Sequence, residues 1–226
     1  MKTTKLFLLF LVPLFGCAQF STPEIFLELG GFYEDEFEPS VYVKVAAGAE
    51  LFSYKFIAPE IDISYYGGGA EDEDFTFDGN GINYRSILHR NMSGFVWGFA
   101  PKLFYEDDSY RLVLIPKYNF GTIKGNGGFL DSEDLRIEKS ASTKIHFWSF
   151  ALGIEGDAWR NSPKIGIYLI YSGLNGGPAL NQLDFEENGY PGQNYNTKAL
   201  GLSFRLNYDF KRKNPKRVKT NASAHP

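Results

Sequence analysis

Residues 199–210 read ALGLSFRLNYDF. Leu200, Leu202, Phe204, Leu206, Tyr208 and Phe210 fall on one face, and Gly201, Ser203, Arg205, Asn207 and Asp209 on the other. Strict alternation of this kind marks a strand whose two faces meet unlike surroundings. The pattern recurs upstream. In 93–106, Phe95, Trp97, Phe99, Leu103 and Tyr105 oppose Gly98, Lys102 and Glu106. In 109–124, Tyr110, Leu112, Leu114, Tyr118 and Phe120 oppose Arg111, Lys117 and Asn119. Strands are expected at 24–33, 41–54, 56–67, 93–106, 109–123, 143–157, 163–174 and 197–210. No apolar run after residue 20 approaches the ~20 residues a membrane helix needs. If the chain crosses a membrane it must do so as a closed barrel, because lipid offers the backbone no hydrogen-bond partner.

The connections between these segments are sorted by length. Those near Ala58-Pro59, Asp107-Asp108 and Arg160–Pro163 are tight, whereas 34–40, 68–92, 124–142 and 175–196 are mostly long and rich in Gly, Asn, Asp and Glu. Short turns on one rim and longer loops on the other are the habit of outer-membrane barrels. The expected fold is therefore all-β: an antiparallel up-and-down transmembrane β-barrel of about eight strands, with short periplasmic turns and longer outer loops. Segment 82–89 competes as a ninth strand. It is assigned to a projecting hairpin, 75–89, that turns at Asp78-Gly79-Asn80-Gly81. Pro101 and Pro116 fall inside expected strands, on the two arms of one hairpin, where each removes a ladder donor.

The polar faces decide which way the barrel is turned. They collect Glu28, Lys44, Glu50, Glu60, Asp62, Lys102, Glu106, Arg111, Lys117, Glu155, Arg205 and Asp209, with both signs intermixed. Buried charge is tolerable only with partners, and an eight-stranded lumen is just wide enough to be filled by side chains. The opposite faces carry Leu, Ile, Val, Phe, Tyr and Trp. Of these, Tyr33, Tyr65, Tyr105, Tyr110, Trp148, Trp159 and Tyr171 suit aromatic girdles.

A hydrophobic content of 43%, with 17% aromatic residues, excludes disorder for want of apolar surface. Two lysines, the apolar stretch Leu6–Phe15 and the small residues Gly16-Cys17-Ala18 make residues 1–18 an export signal. Ordinary cleavage leaves Gln19 first. Alternatively, Leu14-Phe15-Gly16-Cys17 resembles a lipobox, and Cys17 is then the lipidated first residue. Cys17 is the single cysteine, so no intrachain disulfide forms. Of 23 basic residues, two lie in the leader and six in 211–226, which leaves 15 against 27 acidic ones in 19–210. So acidic a body is a poor nucleic-acid binder. Residues 211–226 are expected to form a basic, disordered periplasmic tail able to attract anionic headgroups.

An export leader, eight alternating strands and an aromatic-ended last strand resemble the small outer-membrane barrels of the OmpA/OmpX type. The CAQF leader end and the abundant aromatics resemble the versions from Bacteroidetes-type bacteria. The resemblance spans roughly residues 20–210 and carries no catalytic motif. It implies a barrel-insertion signal read by the insertion machinery on Phe204, Leu206, Tyr208 and Phe210, although sixteen residues follow Phe210. It also implies a surrounding of outer-membrane lipid and lipopolysaccharide.

Three functions follow. The first is a non-enzymatic integral outer-membrane barrel, not a wide porin, with an envelope structural, adhesion or assembly role and an envelope partner still to be identified. The second is a lipid-anchored soluble β-protein held by Cys17. The third is a lipid-modifying barrel enzyme using His89 and Ser93, which have matching parity, whereas His146 and Ser149 lie three apart and face opposite ways. Glu71, Asp72, Glu73 and Asp74, like Glu34, Asp35, Glu36 and Glu38, offer oxygen ligands to a hard cation. They read first as solvated loop charge. No cofactor fingerprint is present: Gly67-Gly68-Gly69 and Gly127-Gly128 precede no helical pattern.

Overall fold

A computed structural model describes residues 23–33, 41–77, 83–107, 110–130, 136–157, 163–188, 190 and 195–209 of the chain. Eight strands follow one another: β1 Glu24–Tyr33, β2 Val41–Glu50, β3 Ile57–Phe77, β4 Asn83–Glu106, β5 Tyr110–Leu130, β6 Arg136–Asp157, β7 Lys164–Ser172 and β8 Ala199–Asp209. Each pairs antiparallel with the next, and β8 closes the ring onto β1. At that seam Phe204 stands between Ile167 of β7 and Leu29 of β1. The side chains of β1 alternate strictly between buried and exposed along its whole length.

The count of eight holds, and the 82–89 ambiguity disappears. Residues 83–89 are the far end of β4, paired with β3 from Asn83–Phe77 to His89–Glu71 without a change of register. The expected loops 68–92 and 124–142 are thus corrected: most of both is strand. β3 to β6 run 21 to 24 residues against 9 to 11 for the other four. A tall wall therefore rises on one side of the barrel. Alternation stops at residues 67 and 93 because beyond them the outer face no longer needs apolar side chains. Backbone pairing continues regardless, and it leaves no mark on composition.

The prolines interrupt pairing without shifting it. Phe99 pairs with Tyr118 and Leu103 with Leu114, the same register on both sides of the Pro101–Pro116 gap. Pro59 stands opposite Pro101 on the other neighbour. Two missing donors on facing arms cost the ladder a few bonds but insert no extra residue.

Between β7 and β8 the chain does not loop outward. It folds into the mouth of the ring as a cap, with helix α1 Gly177–Asn181 opened by Pro178 and a single 3-10 turn at Glu186–Asn188. Leu174, Ala179, Leu180, Leu183, Phe185, Tyr190 and Tyr195 are buried in one cluster with Leu88, Met92, Ile123 and Phe129 of the wall. The apolar residues of 174–185 were legible as composition, but nothing local says that they turn inward. Thr197 pins the two ends of the cap: its hydroxyl accepts from Gly176 N at 2.7 Å and donates to Leu174 O at 2.8 Å. Thr197→Val leaves both backbone groups unpaired and is expected to cost about 1–3 kcal/mol. Hydrogen exchange should then quicken in 174–188 while the amides of β1 and β8 keep their protection.

Candidate functional site

The outward face of the strands is apolar around the ring. Leu27, Leu29, Val45, Ile63, Trp97, Phe99, Leu114, Phe120, Phe150, Leu152, Ile167, Leu169, Leu202 and Phe204 are all exposed. Tyr33, Tyr65 and Tyr171 ring the belt at the cap end, and Tyr105, Tyr110 and Tyr208 at the turn end, every one exposed. Trp148 faces outward too, whereas Trp159 lies outside the described residues.

The inward face is the reverse. Glu28, Glu50, Glu60, Asp62 and Glu155 are buried together with Lys44, Lys102, Lys117 and Arg205. A water-soluble barrel would not bury its charges and expose its leucines. The chain is a transmembrane β-barrel.

These buried charges form a network of five carboxylates and four cations. Arg205 donates through Nη2 to Glu28 Oε2 at 2.7 Å and through Nη1 to Glu60 Oε1 at 2.6 Å. Its guanidinium lies 4.0 Å from the Phe26 ring centroid. Lys44 reaches the other oxygen of Glu28 at 2.6 Å. Lys102 donates to Glu50 and to Glu155, the latter at 2.6 Å, and stands 3.8 Å from Glu60. Lys117 pairs with Asp62, which also accepts from Ser64 at 2.8 Å. Tyr168 and Asn207 donate to the same Glu155 oxygen that Lys102 holds. Glycine makes the room: a Cβ at Gly98 of β4 would lie 2.7 Å from Asp62 Oδ2, where that carboxylate of β3 passes over β4 toward Lys117 of β5.

Nine of the twelve residues expected inside are buried there, and Arg111 and Asp209 are half-buried where their strands reach the turn-end rim. Glu106 is the correction, since it sits where β4 runs out. Glu106 is exposed and pairs at the rim with Arg111, 3.0 Å away. Glu24 and Lys164, also on the inward frame, form a rim pair at 2.5 Å. Toward the cap the lumen turns aromatic. Phe32 stacks on Tyr42 at 4.7 Å, and Tyr66 meets Phe147 at 6.0 Å. Tyr42 donates to the cap at Thr197 O. The lumen is filled from ion pairs through aromatics to the cap.

The proposed dyad residues lie on the outside of the wall. His89 and Ser93 share the outward frame of β4. Four strand steps separate them by about 13 Å, too far for a hydroxyl to reach an imidazole. His89 instead has Glu71 of β3, with Nδ1 to Oε2 at 3.2 Å. His146 is exposed and Ser149 buried, as their parity requires. Glu71, Asp72, Glu73 and Asp74 are consecutive residues of a paired strand, opposite His89, Leu88, Ile87 and Ser86, rather than a loop able to wrap an ion. Among the described residues no three metal-type ligands converge. Phe204, Leu206 and Tyr208 face outward on β8. Phe210, Cys17, the Glu34–Glu38 cluster, the leader and the basic tail lie outside the described residues.

Above the belt, the outward surface of β4, β5 and β6 is polar and forms a cleft of about 620 Å³ lined by residues such as Asn91, Lys124, Asn126, Glu138 and Ser140. The alternation of 93–123 pointed to the membrane face beneath it but not to this surface.

Known structures resemble the fold at low identity. The N-terminal β-barrel domain of Pseudomonas aeruginosa OprF is 12% identical with a TM-score of 0.35, over 84% of this chain and 100% of that one. Ail, the attachment invasion locus protein of Yersinia pestis, is 9% identical with a TM-score of 0.33, over 85% and 98%. Ail in complex with the heparin analogue sucrose octasulfate gives 10% and 0.34, over 84% and 97%. No family model and no curated protein matches the sequence.

Proposed function

We propose that the chain is a non-enzymatic integral protein of the bacterial outer membrane. Its role in envelope structure, adhesion or assembly is carried by the wall and cap, and the lumen conducts nothing. The short turns and both ends of the barrel then face the periplasm, and the wall faces the outside. The observation that carries this reading is the filled lumen. Arg205 and Lys102 tie β8 and β4 to carboxylates of β1, β2, β3 and β6, and the cap closes the mouth above them. Insertion would proceed through the outward aromatics of β8, with Phe210 completing the signal.

Two measurements test it together. Purified protein in planar bilayers is expected to show no steady openings that scale with salt conductivity, and its gel migration is expected to shift on heating. A stable wide pore overturns the sealed reading. In membrane fractionation, wild type and Cys17→Ala are both expected in the detergent-extracted outer-membrane fraction. Release of Cys17→Ala in soluble form would instead favour the lipid-anchored reading.

A further inference from the structure

The belt is not uniform around the ring. On β7, β8 and β1 its outward residues are mostly aliphatic, and these strands end near Tyr171, Leu200 and Tyr33. On β4, β5 and β6 it is aromatic: Trp97, Phe99, Tyr118, Phe120, Trp148 and Phe150 are all exposed, and Tyr118 packs on Trp148 at 5.3 Å. Among the described residues, the strands continue as a wall past these aromatics on this side, and its rows change chemistry in order. The row Phe95–Thr122–Lys144 comes first, then Ser93–Lys124–Ser142, then Asn91–Asn126–Ser140, then His89–Gly128–Glu138.

Lys124 and Lys144 are both exposed, and neither has an ion pair among the described residues, unlike Arg136, which pairs with Glu138 just above. They are diagonal neighbours across β5 and β6, with Cα atoms about 7–8 Å apart and Cβ atoms closer, a span that one or two phosphates bridge. Beyond them stand amides and hydroxyls, with no apolar side chain on that face until Leu130. At Gly128 a Cβ would meet nothing within 4 Å, so the floor of the cleft there is open.

We propose that this stripe is a binding site for one phosphorylated glycolipid of the outer leaflet, a multiply acylated, bisphosphorylated disaccharide bearing further sugars. Its acyl chains lie along the aromatic face of β4–β6, its phosphates sit at Lys124 and Lys144, and its sugars cross Asn91, Asn126 and Ser140 into the cleft. The order of the rows selects this occupant. A phospholipid supplies acyl chains and one phosphate but nothing for the amide and hydroxyl rows. A soluble glycan supplies nothing for the aromatics. The proposal rests on the outer-membrane reading above.

The test uses the full mature chain in nanodiscs, probed with bisphosphorylated lipid A, dephosphorylated lipid A and phosphatidylglycerol, with bound lipid counted by native mass spectrometry. Wild type is expected to retain bisphosphorylated lipid A in preference to both others, and less of it as salt rises. Lys124→Ala/Lys144→Ala is expected to weaken that retention roughly tenfold or more, from the loss of two cations near an anionic surface. Lys198→Ala, exposed beside the cap, should leave it unchanged. Gly128→Trp should weaken retention of core-bearing lipopolysaccharide and spare lipid A. Heat-shifted migration confirms that each variant is folded. Equal retention by the double variant, or equal retention of phosphatidylglycerol, means annular lipid only and overturns the site. Failure of the outer-membrane reading shows separately, in fractionation, because the nanodisc assay does not depend on where the cell places the protein.

Discussion

Arg205→Met is expected to destabilise the barrel by about 3–5 kcal/mol, the cost of leaving buried carboxylates without their partner. Arg205 is fully enclosed and holds Glu28 and Glu60 at once, from residues 177 and 145 positions away. The two acids are not left equally exposed to the loss. Glu28 keeps Lys44 at 2.6 Å, whereas Glu60 keeps only Lys102 at 3.8 Å. Adding Glu60→Gln to Arg205→Met should therefore recover more stability than adding Glu28→Gln. Urea unfolding of the refolded protein in detergent or lipid measures both. Equal rescue by the two glutamines, or a loss below about 1 kcal/mol for Arg205→Met, would show that the network is solvated rather than sealed.

The second large effect lies on the opposite face. Leu29→Arg should cost about 2–4 kcal/mol in a lipid bilayer, the range for a cation at the midplane of a barrel wall. Leu29 is the third of the five outward positions of β1 and is 57% exposed between Val45 and Phe204. In a soluble barrel the same exposed position would accept arginine within about 0.5 kcal/mol. Ser140→Arg, outward on the wall above the belt, is expected to stay within that smaller range in lipid as well. The pair of variants thus maps where lipid ends. A neutral Leu29→Arg would sink the membrane assignment.

Much of the lumen was legible because parity is a local property. Once 199–210 alternates, Arg205 and Leu202 must face opposite ways whatever surrounds them. Glu24, Lys164 and Tyr168 carry the same signal and were passed over. Arg90, buried on β4 with its guanidinium 5.3 Å from the Tyr195 ring of the cap, carries none, since the alternation that reveals β4 begins three residues after it. The wall was read only in part, as the hairpin 75–89, for a related reason. Residues 68–77 and 83–92 are bonded edge to edge while their composition is that of a loop, and only the partner strand shows the difference. The His89–Ser93 pairing relied on parity without distance. A straight strand keeps such residues on one face and also keeps them apart.

By itself, then, the sequence determined two unlike faces, a count of about eight strands, and an inward set in which acids and bases are mixed. Tertiary structure alone decided which acid meets which base, because closing β8 onto β1 brings Arg205 to Glu28 across almost the whole chain. It also decided that residues 174–185, with Tyr190 and Tyr195, turn in to seal the mouth and that β3–β6 rise as a wall. Periodicity records what each side of a strand faces. It does not record which strand lies beside it, and the seal, the wall and the outward cleft all depend on neighbours.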